Sequence, residues 1–305
     1  MEGNNEPVYI QTYRSGRLAE KIRQAYEIIE DCTLCPRQCH VNRMDGETGT
    51  CRTGKKMKIS SFHPHFGEET PLVGRNGSGT IFVTYCSLMC CFCQNYDISH
   101  EGMGEPVTDT QAAEMMLSLQ AMGCHNINFV TPTHVVPQIL SALEKAVEGG
   151  LTIPLVYNSG GYDEVDTLRI LQGVFDIYMP DFKFTDPGIA DRTCSAPDYP
   201  EKAMAALKEM HRQVGDLVLD SRGLAVRGLI VRHLVLPENA AGTREVMRFI
   251  ARQISTDTYV NVMPQYRPMG RAADIPELSR PLSSGQYRAA VEAARKEGIR
   301  RLDRP

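Results

Sequence analysis

The sequence lacks several features that would each assign it to a class of proteins. No run of about 18 apolar residues is present, so we expect no membrane-spanning helix. The first residues, MEGNNEPVYIQTYR, are polar and mixed in charge, unlike a secretory signal peptide. The net charge of −4 does not indicate a broad basic surface, so nucleic acid is not an expected partner unless a local patch binds it. We therefore expect a cytoplasmic protein that does not contact membranes.

Length and apolar content are sufficient for a folded core. The 305 residues are enough for one large α/β domain and a small additional segment. A hydrophobic content of 42% is normal for a globular protein. No internal repeat or low-complexity segment is present, so the motifs must indicate the function.

Cysteine is abundant and unevenly distributed. Eight of the ten cysteines lie between residues 32 and 93, a concentration that core packing does not explain. In a chain without an export signal, clustered cysteines are more often metal ligands or catalysts than disulfide partners. The remaining two are Cys124, which we expect to be a buried apolar residue, and Cys194, which lies in a predicted polar loop and has no assigned role.

One cysteine group lies in YCSLMCCFCQNY, residues 85–96. Cys86, Cys90 and Cys93 have the pattern C-x3-C-x2-C. Three thiolates on one short loop can ligate three irons of a [4Fe–4S] cluster and leave the fourth iron open to a substrate or cofactor. Structural zinc sites usually have four ligands in two pairs, so three cysteines favour the cluster over zinc or free thiols. Cys91, between two of these ligands, is expected to point away from the cluster.

A second cysteine group precedes the first along the chain. Cys32, Cys35, Cys39 and Cys51 have the pattern C-x2-C-x3-C-x11-C. Four thiolates can hold a structural zinc ion or a second [4Fe–4S] cluster that relays electrons, and disulfides are the remaining alternative. Either metal would be fully coordinated and closed to substrate. We therefore expect the two cysteine groups to be independent sites.

The chain divides into an N-terminal part, residues 1–75, and an α/β part, residues 76–305. The N-terminal part has a helix, the four-cysteine segment and a linker over residues 52–79. Four residues of this linker could supply ligands or charges near the cluster, or could belong to a solvated loop at the edge of the sheet: His63, His65, Glu68 and Glu69.

Short apolar segments alternate with helical segments from Thr80 onwards. The apolar segments are typical of buried parallel strands, and the alternation predicts six β/α units with right-handed crossovers. The predicted strands are residues 80–85, 127–131, 153–158, 176–180, 227–236 and 258–262. The predicted helices are residues 14–31, 109–122, 136–148, 163–172, 200–214, 243–255 and 284–297.

Local signals refine this arrangement. A short hairpin is predicted at residues 221–223, and Thr108, Thr110 and Asp163 are predicted helix caps. Six β/α units do not close an eight-stranded barrel. We therefore expect an open, partial (β/α)6 barrel whose active face lies at the carboxyl ends of the strands.

Polar residues follow the predicted strands at those ends. The segments TPTH at residues 131–134 and NSGG at residues 158–161 follow the second and third strands. PDFK at residues 180–183 follows the fourth, and the fifth carries Arg232. The carboxyl ends of parallel strands meet at one edge, so these residues are expected near the cysteine loop.

The cysteine loop resembles that of the radical SAM superfamily, whose fourth iron chelates S-adenosylmethionine. Residues 80–270 resemble the branch that includes pyruvate formate-lyase activating enzymes. The whole chain, with its N-terminal cysteines and CQNYDIS after the cluster motif, is similar to the PflX-like branch. The superfamily core is a (β/α)6 partial barrel, a shortened form of the TIM barrel, so the resemblance implies the same fold as the strand pattern.

The resemblance also implies a set of cofactor contacts. Asp181 and Lys183 match a D-x-K motif, and Arg232 matches an R-[YH]-x-[VI]-x-P strand. Asn158 and Ser159 match a turn that contacts the cofactor. The chain departs from the branch at two places. Thr131 and Thr133 stand where the branch has a G-G-E motif, and they are still expected to contact the cofactor; Gln265 stands where the branch has a histidine.

The resemblance implies an oxidoreductase that works without oxygen. A reduced [4Fe–4S] cluster would cleave S-adenosylmethionine to methionine and a 5′-deoxyadenosyl radical, which abstracts hydrogen from a substrate. A flavodoxin or ferredoxin would supply the electron. One candidate substrate is a glycine in a protein, as in glycyl-radical activation. The alternatives are a small molecule, an RNA nucleoside, or a non-catalytic role as an iron–sulfur or metal carrier.

Overall fold

The computed structural model describes residues 6–303 and shows a mixed α/β fold built on one ten-stranded, mostly parallel sheet. The strand order is β10-β9-β8-β6-β5-β4-β2-β1-β3, and β7 pairs with β8. The strands are β1 (Lys58–His65), β2 (Ser78–Val83), β3 (Glu105–Pro106), β4 (Ile127–Val130), β5 (Leu155–Ser159), β6 (Ile177–Pro180), β7 (Val218–Leu219), β8 (Ala225–Leu234), β9 (Tyr259–Met263) and β10 (Arg301–Leu302).

The six predicted strands are confirmed as β2, β4, β5, β6, β8 and β9, each within two residues of the predicted ends. They lie side by side and pair in parallel. Most of their side chains are buried, which explains why they occur as short apolar runs. The predicted hairpin is also confirmed, because β7 pairs antiparallel with β8 across residues 220–224.

Helices connect successive parallel strands. The α-helices are α1 (Val8–Arg14), α2 (Arg17–Ile28), α3 (Thr70–Val73), α4 (Tyr96–Ser99), α5 (Asp109–Ala121), α6 (Val136–Glu148), α7 (Val165–Ile170), α8 (Pro187–Cys194), α9 (Tyr199–Val214), α10 (Thr243–Phe249) and α11 (Ser284–Lys296). Thr108 caps α5 as predicted, in a capping box with Gln111. Among residues 6–303, no helix has the length and apolar character needed to cross a membrane.

The predicted helix 14–31 is confirmed as α2 and the 3-10 turn that follows it at residues 29–31, but it begins only at Arg17, because Gly16 adopts a left-handed conformation (φ 74°). Three local predictions are wrong. Asp163 caps no helix, since its buried carboxylate accepts hydrogen bonds from other side chains, and Thr110 lies inside α5. Cys194 is not in a loop but is the last residue of α8. Cys124 is buried, as predicted.

The predicted linker, residues 52–79, contains structure that contributes to the sheet. β1 pairs antiparallel with β2 and carries β3 on its other side. The short helix α3 then buries Leu72 against Val156, Ile177 and Ile230. The linker prediction is therefore wrong for this stretch, and Glu68 and Glu69, just before α3, are buried rather than solvated.

Candidate functional site

A cavity of about 240 Å³ lies at the carboxyl ends of the parallel strands. Its walls come from the loop after β2 and from the ends of β4, β5, β6, β8 and β9. Most of the predicted site residues line it, together with Gln265: Cys86, Cys90, Cys93, Thr131, Asn158, Ser159, Asp181, Lys183 and Arg232. The structure therefore brings the cysteine loop and the polar strand ends to one place.

The cysteine loop, residues 85–93, is held in shape by its own backbone. The Cys93 N–H donates to the Cys90 carbonyl at 3.1 Å. The Leu88 N–H donates to Cys86 Sγ at 3.3 Å, a contact suited to a thiolate. Cys91 does not line the cavity. Its backbone instead bonds to Thr193 and Arg271 on the other side of the loop.

Left-handed backbone conformations are concentrated beside the cysteines. Nine non-glycine residues among residues 6–303 have positive φ, and five of them are sequence neighbours of a predicted ligand cysteine: Gln38, His40, Arg52, Tyr85 and Met89. Thr131, with φ 63°, is a sixth, at the cavity wall. Such conformations are costly for residues with a side chain and occur most often at functional sites. The strain therefore marks both cysteine groups and the TPTH turn.

Asp181 is the centre of an ion-pair network on the cavity wall. Its Oδ1 lies 2.8 Å from Arg232 Nε, and its Oδ2 lies 2.5 Å from Lys183 Nζ. Arg232 also donates to Asn158 Oδ1 at 2.6 Å. Burial alone would raise the pKa of Asp181, but the Arg232 and Lys183 cations outweigh it and lower that pKa. Asp181, Lys183 and Arg232, three predicted cofactor contacts, are thus paired with one another and also line the cavity.

Glu68 and Glu69 lie behind this network and do not line the cavity. Arg232 Nη1 is 3.5 Å from Glu68, and Arg232 Nε is 4.0 Å from Glu69. Asn261 donates to Glu69 at 2.9 Å. Burial raises the pKa of both carboxyl groups, to about 7 for Glu69. They act as buried counter-charges for Arg232, which lines the cavity, and so supply charge close to the site without reaching its wall.

His63 and His65 also lie away from the cavity. Both are on β1, where their rings pack against Phe82 of β2 at 5.6 and 5.9 Å between centroids.

Thr133 is a further predicted residue outside the cavity lining. Its hydroxyl donates a hydrogen bond to Oδ1 of the buried Asp163 at 2.7 Å, so the hydroxyl proton is not available to a ligand in the cavity. Ser159 donates to the other Asp163 oxygen at 2.6 Å but still reaches the cavity.

Several lining residues were missed by sequence reasoning. Gln94 and Asn95 directly follow the last cysteine of the motif, and that proximity was the available signal. Cys194 is the other missed residue near the loop. The Cys194 thiol, through a hydrogen bond, and burial both raise the pKa of Cys90. No sequence pattern relates Cys194 to Cys90, because they are brought together by the end of α8.

The four N-terminal cysteines line one small cavity together with Arg43 and Gly49: Cys32, Cys35, Cys39 and Cys51. The Thr50 N–H donates to Cys39 Sγ at 3.4 Å. Gly49 passes so close that an added Cβ would lie 2.5 Å from Cys39 Sγ. The backbone of residues 49 and 50 therefore packs directly against the Cys39 sulfur, and only glycine fits at position 49 without displacing it.

Arg43 is buried beside these cysteines without a carboxylate partner among the described residues. Only 1% of its surface is exposed. Its Nη1 lies 3.9 Å from Cys32 Sγ, its Nη2 donates to the Gly54 carbonyl at 3.0 Å, and its Nε has no partner. A buried cation requires a nearby negative charge. The cysteine sulfurs are the groups placed to supply it.

All ten cysteines are free thiols, so no disulfide joins either group. In the part of the chain that the structure describes, no group of three or more Cys, His, Asp or Glu side chains is arranged to hold a metal ion. The cysteines of each group share a cavity without forming a closed coordination shell. Both metal sites therefore stay predictions.

Comparison with known proteins identifies a relative. No family model matches the chain. A protein of Methanocaldococcus jannaschii, described as "Uncharacterized protein MJ0674", is 32% identical over 289 residues. The match covers 92% of this chain and 78% of that protein. Identity of this extent over nearly the whole chain shows that the protein belongs to the same family as MJ0674 of Methanocaldococcus jannaschii.

Proposed function

We propose that this protein is a radical SAM oxidoreductase. In this proposal Cys86, Cys90 and Cys93 hold a [4Fe–4S] cluster, and S-adenosylmethionine binds beside it in the 240 Å³ cavity. One observation carries the proposal: three cysteines of one short loop line the same cavity as the polar ends of neighbouring parallel strands. When bound, the cluster and S-adenosylmethionine together would supply one-electron chemistry at this edge of the sheet.

The residues present fit this pair of cofactors. The loop offers three sulfurs, and one of them already accepts an N–H hydrogen bond. Lys183 uses one of its N–H groups on Asp181 and keeps two for a ligand carboxylate or hydroxyl. Ser159 and Thr131 add hydroxyl groups to the wall. Asp181, already paired with two cations, orients Lys183 and Arg232 rather than binding a ligand cation itself.

The sheet is consistent with the proposed partial barrel. Six parallel strands alternate with helices, and β10 and β3 form the two edges of the sheet. A protein loop can enter an unclosed barrel from the side, so we propose a protein glycine as the substrate, with a flavodoxin or ferredoxin as the electron donor. A small molecule or an RNA nucleoside is the outcome to consider if no protein substrate is found.

We further propose that the four N-terminal cysteines bind a metal as thiolates, either zinc or a second [4Fe–4S] cluster. Arg43 supports this proposal, since a buried guanidinium needs the negative charge that four metal-bound thiolates provide. Neutral thiols would leave that cation uncompensated. The site would be closed to substrate and would have a structural or electron-relay role.

The test of the function is made on protein purified and reconstituted without oxygen. Metal content is measured first, and 5′-deoxyadenosine is then measured after addition of dithionite and S-adenosylmethionine. About four irons and one zinc per chain with product would indicate one catalytic cluster and a zinc site, and about eight irons would indicate two clusters. Iron without product would contradict the enzymatic proposal and favour a metal carrier.

Gly49→Ala tests the N-terminal metal site. The new Cβ would collide with Cys39 Sγ and displace it, so we expect roughly tenfold weaker zinc binding, measured by competition with a chelator. Gly54→Ala is the matched control, because an added Cβ there meets no atom within 4 Å. Equal zinc affinity in the two variants would show that Cys39 is not a ligand.

Asp181→Asn tests the ion-pair network. The substitution leaves the buried Lys183 and Arg232 cations without their shared negative charge, so we expect a loss of roughly 2 kcal/mol in the free energy of unfolding. Asp166→Asn, which removes a surface ion pair with Arg169, should cost less than about 0.5 kcal/mol. Urea denaturation of the two variants measures the difference, and equal losses would show that the network does not stabilise the fold.

A further inference from the structure

Arg37, between two of the N-terminal cysteines, reaches across to the other cysteine loop. Its Nε donates to the Ser87 carbonyl at 2.9 Å, and its Nη2 donates to the Leu88 carbonyl at 3.1 Å. Ser87 and Leu88 lie between Cys86 and Cys90. One guanidinium group therefore holds the segment that joins two of the proposed cluster ligands.

The same guanidinium also holds the end of α8. Its Nη2 donates to the Cys194 carbonyl at 2.6 Å, and its Nη1 donates to the Ser195 carbonyl. Its Cζ lies 5.3 Å from the centroid of the Tyr162 ring. Arg37 has no carboxylate partner in these contacts, so its binding depends on a fixed set of four carbonyl groups.

The segment that carries Arg37 is anchored from both sides. The Leu34 carbonyl accepts a hydrogen bond from Thr167 at 2.8 Å, and Gln38 contacts Glu164 at 3.4 Å. Gln38 itself has a left-handed conformation. The position of Arg37 is therefore set by the conformation of residues 32–51, which is the segment that a metal on the four cysteines would order.

We propose that Arg37 couples the two cysteine groups. Metal bound by the N-terminal cysteines would hold Arg37 against Ser87 and Leu88, and Arg37 would keep Cys86 and Cys90 at the spacing the cluster needs. Arg37 is thus a positioning residue that acts through backbone carbonyls. This inference rests on the proposed function, and it replaces the expectation that the two sites are independent.

The test compares Arg37→Gln, Arg37→Lys and Arg52→Gln in reconstituted protein. Arg52 is the matched control, because it directly follows the segment of residues 32–51 but donates to the His100 carbonyl instead. The measured quantity is the rate at which iron is lost to EDTA. We expect iron to be lost about tenfold faster from Arg37→Gln, because removal of one charge-assisted hydrogen bond corresponds to about a factor of ten in stability. Iron loss from Arg52→Gln should equal that of the wild-type protein.

A second readout separates positioning from general stability. The cluster's midpoint potential should become more negative in Arg37→Gln, because a nearby positive charge favours the reduced cluster. Arg37→Lys keeps the charge but not the planar fork, so it should restore the potential and only part of the iron retention. If Arg37→Gln retains iron and potential like Arg52→Gln, the coupling does not exist.

Metal-free protein provides a test that does not depend on the cluster. Addition of zinc alone should slow hydrogen exchange in residues 85–93 of the wild-type protein, and this slowing should be lost in Arg37→Gln. If the wild-type protein holds no cluster but shows this difference, the proposed function fails and the coupling stands. Equal slowing in both proteins would overturn the coupling, whatever the cluster does.

Discussion

Replacement of Cys90 by alanine is expected to abolish both the iron–sulfur absorption of reconstituted protein and its formation of 5′-deoxyadenosine. Cys90 is the middle ligand of the proposed three, and its loss leaves two irons without a protein ligand. Loss of outer partners of a metal site typically costs 10- to 100-fold, so loss of a ligand should lower activity by more than about 100-fold. Absorption spectra and product formation measured without oxygen check this result.

Cys91→Ala is the matched control for this prediction. Cys91 is the next residue along the chain and a free thiol, but it does not line the cavity. Its contacts with Thr193 and Arg271 are made by its backbone and survive the substitution. Both readouts should therefore stay at wild-type levels. A cluster retained in Cys90→Ala, or lost in Cys91→Ala, would contradict the ligand assignment.

The parallel strands could be predicted because most of their side chains are buried. A buried strand is mostly apolar, and the segments of β4, β5 and β6 show this even though they include the buried polar residues Asn128, Asn158 and Ser159. β1 has no such signal. Its sequence, KISSFHPH, contains a proline and two histidines, because only one of its eight residues is buried near the edge of the sheet. The pairing of β1 with β2 therefore follows from tertiary contacts rather than from composition.

The parts of the site that depend on cysteine spacing and on the order of the strands could be predicted from the sequence. The cysteine pattern located one wall, and the rule that ligands bind at the carboxyl ends of strands located Asn158 and Arg232 on another. The buried partners of these residues were not predictable. Glu69 is 163 positions from Arg232 in the chain, and only the fold of residues 66–77 brings them together. The bridge from Arg37 to Leu88 was missed for the same reason.

The second large effect is expected for Arg43→Met. In metal-loaded protein Arg43 would compensate the charge of four thiolates, so its removal should weaken zinc binding by about 100-fold. In metal-free protein the same substitution removes a buried cation that has no carboxylate partner within residues 6–303. The metal-free variant should therefore be more stable than the wild-type protein, by roughly 1 kcal/mol or more. Thermal unfolding with and without zinc measures both effects.

The opposite signs of these two effects make the prediction specific. Arg52→Met, which changes an exposed arginine directly after the four-cysteine segment, should leave the stabilisation by zinc unchanged. Burial raises the pKa of Cys51, and the Arg43 cation offsets part of this rise. Without Arg43 the thiol would lose its proton only at higher pH, so zinc uptake by Arg43→Met should shift to higher pH. If zinc stabilises Arg43→Met as much as the wild-type protein and at the same pH, the buried cation does not serve a thiolate metal site.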